Sequence, residues 1–239
     1  WMVITGAGPG VMEAGNRGAG IDHSFGVNIR LPFEADANPF IHESRLVNYK
    51  YFFTRKLTFM KESHAFVLFP GGFGTLDETF ELLTLLQTGK SDLHPIVLTE
   101  PEGSGYWEGW LEFVEEHLVS GGMIAPDDLG LFTRTHDVGR AIEEIRTFYA
   151  NYHSQRFVGD RLILRLTHAP SAEDVRWLND TYGDLLASGE IEAIGATEVE
   201  VEDRDHPELP RLRLHFDRRS LGRLRAMIDD LNTLAPGTE

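Results

Sequence analysis

Two glycine-rich loops, each lying between a short apolar segment and a helical pattern, constrain the fold of this chain more than any other feature. The first loop, residues 6–10 (Gly-Ala-Gly-Pro-Gly), and the second, residues 70–74 (Pro-Gly-Gly-Phe-Gly), both follow apolar runs. Such a loop lets backbone N–H groups converge on an anion, and the following helix adds partial positive charge. Neither loop has the G-x-G-x-x-G spacing of a dinucleotide fingerprint or the Gly-Lys-Ser/Thr of a P-loop. Both loops therefore indicate strand–loop–helix units that can hold one phosphate.

Apolar segments and helical patterns alternate along the first 155 residues. They predict strands over residues 1–5, 25–31, 64–69, 95–99 and 131–133, and helices over residues 11–18, 48–62, 75–89, 106–119 and 138–153. Alternation at these lengths is typical of a parallel sheet wound by right-handed crossovers. The predicted fold class is therefore α/β, with a Rossmann-like doubly wound parallel sheet in a domain over residues 1–155.

The pattern changes after residue 155. Residues 161–166, 191–202 and 211–216 are predicted strands, residues 172–188 and 221–231 are predicted helices, and residues 203–210 are a predicted hairpin connection. This order predicts a small C-terminal α+β module (βαββα) over residues 156–239, whose role the residues do not indicate. The module has a basic patch formed by Arg211, Arg213, Arg218, Arg219, Arg223 and Arg225. A solvated face that pairs with nearby acids explains this patch better than a regulatory anion site or an interface.

The composition excludes several classes of partner. With 22 basic and 38 acidic residues the net charge is −16, so the surface repels nucleic-acid polymers and acidic membranes. The absence of Cys excludes disulfides, thiol nucleophiles and Cys-ligated zinc, and the ten His residues show no metal-ligand spacing. The sequence has no run of about 18 apolar residues and no signal segment. We therefore expect no metal site, no membrane partner and a cytoplasmic location.

Three stretches of the chain together resemble the signatures of a known family. They are Thr5-Gly6-Ala7-Gly8-Pro9-Gly10-Val11-Met12-Glu13-Ala14, Arg55-Lys56, and Pro70-Gly71-Gly72-Phe73-Gly74-Thr75-Leu76-Asp77-Glu78. Over about residues 1–152 the chain resembles the LOG (Lonely Guy) family. The resemblance implies hydrolysis of the N-glycosidic bond of nucleoside 5′-monophosphates, such as AMP or cytokinin riboside monophosphates, by a homodimer or higher homo-oligomer without a cofactor. The family usually has a further strand and helix before the first stretch, so we expect that this strand–helix unit is missing here.

The resemblance also assigns roles to residues. It makes Arg55 and Glu78 the catalytic residues. Together with the loop context, the resemblance assigns substrate binding to Gly8, Pro9, Gly10, Met12, Glu13, Lys56, Pro70, Gly71, Gly72, Gly74 and Thr75. Cleavage of an N-glycosidic bond develops positive charge on the ribose, which a carboxylate stabilises, whereas Arg55 would stabilise the departing base or anchor the substrate. Helical spacing places Lys56 in an apolar arc, where its ammonium group needs an anion.

Other interpretations of these residues remain open. The pattern from Thr75 to Glu78 also fits a capping box, in which Glu78 only accepts a backbone N–H, and residues 8–10 also fit a simple turn. A second function class is a non-catalytic carrier of a nucleotide or molybdenum cofactor on the same fold. A third is the lysine decarboxylase label that many LOG relatives carry, which needs a pyridoxal phosphate Schiff base. None of the four lysines, Lys50, Lys56, Lys61 and Lys90, has a matching sequence context.

Overall fold

A computed structural model describes residues 1–29 and 37–234, which form a mixed α/β structure. The strands are β1 (Val3–Thr5), β2 (Ser24–Ile29), β3 (Leu46–Tyr49), β4 (Phe66–Leu68), β5 (Ile96–Thr99), β6 (Thr133–Thr135), β7 (Tyr152–Val158), β8 (Arg161–Leu166), β9 (Leu186–Ile194) and β10 (Arg211–Phe216). The helices are α1 (Val11–Ala19), α2 (Phe52–Glu62), α3 (Phe73–Gln87), α4 (Tyr106–Phe113), α5 (Val138–Phe148), α6 (Ala172–Tyr182), α7 (Glu198–Asp203) and α8 (Leu221–Thr233). The chain divides into two compact units, Trp1–His64 and Ala65–Glu239.

The unit Trp1–His64 contains a parallel sheet with the strand order β1-β2-β3. Val27 and Ile29 of the central strand are 2% and 3% exposed, since side chains point to the faces of a sheet and both α1 and α2 contact β2. Gly26 permits the packing above this strand, since a Cβ there would lie 2.8 Å from the side chains of both Ile41 and Leu46. Helix α1 contacts β1 and β2, and α2 contacts β2 and β3.

The unit Ala65–Glu239 contains a second parallel sheet, with the order β4-β5-β6. Its central strand has three consecutive apolar residues that are at most 1% exposed, Ile96, Val97 and Leu98, as is typical of a strand buried on both faces. Parallel strands end at the same edge of a sheet. The second glycine loop, which follows β4, and Glu100, which follows β5, therefore lie at one edge.

The same unit ends in an antiparallel sheet with the order β7-β8-β10-β9, which α6 and α8 contact. Leu162, Leu164, Leu212 and Leu214 of its two central strands are at most 1% exposed and form the apolar face. Their neighbours in sequence include arginines, because successive side chains of a strand point to opposite faces.

Several predicted element boundaries are wrong in the first half of the chain. The predicted helix over residues 48–62 begins only at Phe52, and Leu46–Tyr49 forms β3 because it pairs with β2. Residues 30 and 31 of the predicted strand over 25–31 lie outside the described residues, and β2 covers Ser24–Ile29. Strand β6 is shifted two residues later than predicted, and the helix predicted over 106–119 becomes π-helical over Val114–Val119.

The C-terminal elements differ more from the prediction. The helix predicted over 138–153 ends at Phe148, and the chain continues as β7, an edge strand with a polar sequence that the pattern did not reveal. The helix predicted over 172–188 ends at Tyr182, and β9 begins at Leu186. The strand predicted over 191–202 ends at Ile194, because Thr197 and Glu200 form a capping box that starts α7. The observed order from β7 is therefore ββαβαβα rather than βαββα.

Among the described residues, no helix has the length and apolar character needed to cross a membrane. Within residues 1–29 and 37–234, no three His, Asp or Glu residues are grouped so that they could hold a metal ion.

Candidate functional site

The first glycine loop is held by a buried network of polar side chains. Thr5 Oγ1 donates to Asn16 Oδ1 at 2.6 Å and accepts the N–H of Ala7 at 3.0 Å. Asn38 Nδ2 donates to Asn16 Oδ1 at 3.1 Å and to the Gly8 carbonyl at 3.2 Å. Asn16 is fully buried and Asn38 is 6% exposed. The sequence pattern does not predict the role of these asparagines, although Asn16 lies only two residues after the motif over residues 5–14.

Arg55 lies against this loop. Its Nη2 atom occupies the space beside Gly6, since a Cβ there would lie 2.6 Å from Nη2 and 2.8 Å from Met12 Sδ. The guanidinium also lies 5.5 Å from the centre of the Phe59 ring, within the range of a cation–π contact. Its Nε atom is buried and has no hydrogen-bond acceptor among the described residues. The small size of Gly6 thus lets a cation approach the loop backbone.

The other residues assigned to this unit lie on the same elements. Pro9 and Gly10 are exposed in the loop, Glu13 is half-buried on α1, and Lys56 is half-buried on α2 next to Arg55. Gly10 has φ 70°, a left-handed conformation that favours glycine, where the loop turns into α1. The structure therefore brings Gly6, Gly8, Met12 and Arg55 together, because Met12 Cε also lies 2.6 Å from the Cβ position of Gly8.

The second glycine loop leads directly into α3. The cap of the helix is Gly72, which has no side chain that could accept a hydrogen bond from the first turn. The first bond of the helix is donated by Leu76 N to the Gly72 carbonyl at 3.2 Å. The N–H groups of residues 73–75 lie in the first turn of the helix, before that bond, and point toward the start of the helix. Gly71, Gly72 and Gly74 are exposed and Pro70 is half-buried, so the loop is accessible to an anion.

The structure removes the capping-box interpretation of Glu78. Helix α3 begins at Phe73, so Thr75 is already the third helical residue rather than the cap. Its side chain packs back on the loop, where a Cβ at Gly71 would overlap Thr75 Oγ1. Glu78 is half-buried one turn along the helix, and its Oε2 atom is buried. Asp77 beside it is exposed.

A buried carboxylate stands at the end of the neighbouring strand. Glu100 Oε2 accepts the backbone N–H groups of Tyr106 at 2.7 Å and Trp107 at 3.1 Å, and Arg134 Nε lies 3.5 Å from Oε1. Burial raises the pKa of Glu100, but these hydrogen bonds, one from Ser104 and the charge of Arg134 together hold the pKa below its usual value. The carboxylate thus stays ionised and fixes the start of α4. The Tyr106 hydroxyl in turn donates to the Gly71 carbonyl at 2.8 Å.

Four of the six arginines in the basic patch of the C-terminal module pair with acids, and Arg218 lies over the ring of Phe157. Arg213 pairs with Glu192, Arg223 with Asp184, and Arg225 with Glu144 and Asp229. The patch is less solvated than predicted, since Arg211 is 1% exposed and Arg225 is 2% exposed. Arg211 contacts the fully buried Glu200, which Arg165 contacts from its other oxygen.

Sequence comparisons place these features in a known group of proteins. Residues 6–145 match the model of a family described as "Possible lysine decarboxylase". The chain is 32% identical over 125 residues to the pyrimidine/purine nucleotide 5′-monophosphate nucleosidase of Escherichia coli K12. This alignment covers 47% of the chain and 27% of the nucleosidase. It is 40% identical over 72 residues to the cytokinin riboside 5′-monophosphate phosphoribohydrolase LOG1 of Arabidopsis thaliana. This alignment covers 30% of the chain and 32% of LOG1. These alignments thus span less than a third of each relative's length.

Proposed function

This chain belongs to the LOG family, whose shared model matches residues 6–145, and we propose that it hydrolyses the N-glycosidic bond of nucleoside 5′-monophosphates to a free base and ribose 5-phosphate. The observation that carries the proposal is the second glycine loop. Exposed glycines lead into a helix with no capping side chain, and a half-buried carboxylate, Glu78, follows one turn later. The loop suits a phosphate and the carboxylate suits the charge that develops on a ribose. The names of both curated relatives support the same reaction.

Each site residue has a chemical role in this proposal. The N–H groups at the start of α3, with Pro70, Gly71, Gly72, Gly74 and Thr75 around them, bind the 5′-phosphate. The carboxylate of Glu78 stabilises the positive charge that forms on the ribose as the bond to the base breaks, and it orients the attacking water. Arg55 stabilises the negative charge on the departing base, and Lys56 adds positive charge for the nucleotide. Gly8, Pro9, Gly10, Met12 and Glu13 line the nucleotide.

The finer structural assignments belong to the proposal as well. They are a Rossmann-like doubly wound sheet in a domain over residues 1–155, a small C-terminal α+β module over residues 156–239, a homodimer and a cytoplasmic location. The start of β7 at Tyr152 supports a change of architecture near residue 155. Light scattering on the purified chain measures its molar mass, and a monomer at working concentration would contradict the dimer.

The reaction is tested by incubating the chain with AMP and with adenosine and measuring free adenine. We expect AMP to be split, and kcat/KM for adenosine to be at least about 10²-fold lower, because two charge-assisted hydrogen bonds to the phosphate contribute about 3 kcal/mol or more. Equal turnover of the two compounds would show that the glycine loop does not bind the phosphate. Binding of AMP without release of adenine would favour the carrier interpretation. Repeating the assay with CMP, UMP and GMP identifies the preferred base.

A further inference from the structure

The hydrogen bond between Tyr106 and Gly71 joins the segments that follow two neighbouring strands of the β4-β5-β6 sheet. Tyr106 is the first residue of α4, and its hydroxyl donates to the Gly71 carbonyl at 2.8 Å. That carbonyl belongs to the peptide that links Gly71 to Gly72. The peptide is planar and trans, so its N–H points away from its C=O. Holding the Gly71 carbonyl therefore sets the direction of the Gly72 N–H.

Tyr106 has a rigid attachment of its own. Its backbone N–H donates to the Glu100 carboxylate, which is 2% exposed. Its ring meets the ring of Trp107 edge-on, with the ring centres 4.9 Å apart. Trp107 is fully buried, and its indole N–H donates to the Thr99 carbonyl at 3.2 Å. The phenol is thus presented to the loop from the buried end of β5.

The loop itself has little other packing that would fix this peptide. Beyond their chain neighbours and the backbone of their own helix, Gly72 and Gly74 have no described atom within 4 Å of their Cβ positions, whereas the Cβ position of Gly71 is filled by Thr75. Glycine allows a wide range of backbone angles, so a Gly–Gly peptide without a fixed contact can rotate. The bond from Tyr106 restrains that rotation on one side of the loop and leaves the other side open.

We propose that Tyr106 is a positioning residue for the substrate's phosphate, because it holds the Gly71 carbonyl and so aims the Gly72 N–H at the phosphate oxygens. The inference rests on the proposed function, in which residues 71–75 bind the 5′-phosphate. Tyr106 acts through the loop and not on the reacting bond. Its loss therefore weakens binding of every phosphate-bearing ligand by one factor, whereas the rate of bond cleavage in the bound complex changes little.

Tyr106→Phe tests this role because it removes only the hydroxyl and keeps the ring on Trp107. We expect the dissociation constant for ribose 5-phosphate, measured by calorimetry, and KM for AMP to rise about 3- to 10-fold, the range for one lost hydrogen bond. We expect kcat to stay within about twofold of the wild-type value. The matched control is Tyr182→Phe, which removes a hydroxyl that donates to Asp230 instead of the loop and should leave both constants unchanged. Melting temperatures of both variants show that they are folded.

The possible results separate this inference from the proposed function. Unchanged binding and KM in a folded Tyr106→Phe variant of a chain that hydrolyses AMP would overturn the inference and leave the function standing. Weaker ribose 5-phosphate binding by the variant of a chain that releases no base would support the inference and overturn hydrolysis. A wild-type chain that binds neither ribose 5-phosphate nor AMP would overturn both. A proportional loss in kcat with unchanged KM would also overturn the positioning role.

Discussion

At the scale of single residues, the functional assignment depends most on Glu78. We expect Glu78→Gln to lower turnover of AMP by about 10² or more, because the amide keeps the size of the side chain but cannot stabilise positive charge on the ribose. AMP should still bind through the phosphate loop. Since α3 is capped at Gly72, this variant removes no capping-box bond, and the isosteric amide should leave the chain folded.

The control for this variant is Asp77→Asn, which removes the same charge from the exposed neighbouring position of α3. It should leave turnover within about twofold of the wild-type rate, since an exposed charge is screened by water. Base release, AMP affinity and melting temperature are measured on both variants. Equal rates for wild type and Glu78→Gln would remove Glu78 from the mechanism.

Single residues are most predictable from the sequence where the residue type has few structural roles, as glycine has in clusters. The glycines at 71, 72 and 74 predict an open loop before a helix that begins at residue 75; Gly71 and Gly72 do form an exposed loop, but α3 begins at Phe73 and includes Gly74. The roles of Asn16, Asn38 and Tyr106 could not be predicted, because each depends on a partner distant in sequence, up to 35 residues for Tyr106 and Gly71. A hydrogen bond of this kind leaves no local pattern in the chain.

At the scale of elements, strongly apolar strands and long amphipathic helices were predictable, whereas polar edge strands were not. Strand β5 was predicted almost to its limits because its buried residues are consecutively apolar. The predicted helix over 138–153 overlaps only the first two residues of β7, and the sequence pattern assigns no element to the rest, since the edge strand Tyr152–Val158 has no clear alternation. The alternating Val and Glu residues of α7 favour a strand when they are read without the capping box of Thr197 and Glu200, which starts the helix.

Helix α7 supplies the prediction that belongs to this scale. It inserts the fully buried Glu200 between Arg165, at 2.9 Å, and Arg211, at 3.0 Å. Glu200→Gln should therefore lower the free energy of unfolding by about 3 kcal/mol, because it removes the counter-charge of the nearly buried Arg211 and one of the two counter-charges of Arg165, which also pairs with Asp205. The control Glu198→Gln removes an exposed charge from the same helix and should change it by less than about 0.5 kcal/mol. Chemical denaturation measures both values.

The loss of stability caused by Glu200→Gln has a defined pH dependence. Burial raises the pKa of Glu200, but hydrogen bonds from Thr197, Arg165 and Arg211 hold it below its usual value in the folded chain. A group with a lowered folded pKa stabilises the fold above its unfolded pKa, near 4.3, and this contribution is lost as the pH falls through the folded pKa. The stability difference between wild type and Glu200→Gln should thus be constant near neutral pH and shrink in acid. A difference that grows on acidification would contradict the ionised state of Glu200.

At the scale of the whole molecule, the net charge of −16 conceals an uneven distribution. Residues 1–64 have seven basic and six acidic residues, a net charge of +1, whereas residues 65–239 have 15 basic and 32 acidic residues, a net charge of −17. Arg55 and Lys56 therefore belong to the part of the chain that is not acidic, where they can attract a phosphate-bearing ligand. In the C-terminal module, acids pair with arginines and build the fold, as Glu200 does with Arg165 and Arg211.

At the scale of the whole chain, two kinds of chemistry are implied. The family model is described as a lysine decarboxylase, whereas the curated relatives are named as nucleotide hydrolases, and Lys56 distinguishes the two reactions. A decarboxylase needs a lysine that forms a Schiff base with pyridoxal phosphate, which arginine cannot do. Lys50, Lys61 and Lys90 are exposed, so Lys56, half-buried beside Arg55, is the only lysine that could be considered.

We expect Lys56→Arg to keep AMP hydrolysis within about tenfold of wild type, since it keeps the positive charge, and the parallel Lys50→Arg to have no effect. Borohydride treatment with pyridoxal phosphate, followed by mass spectrometry, should leave Lys56 unmodified, and lysine should yield no carbon dioxide. Stoichiometric labelling of Lys56 together with carbon dioxide release that Lys56→Arg abolishes would instead establish the decarboxylase and remove Lys56 from the nucleotide site.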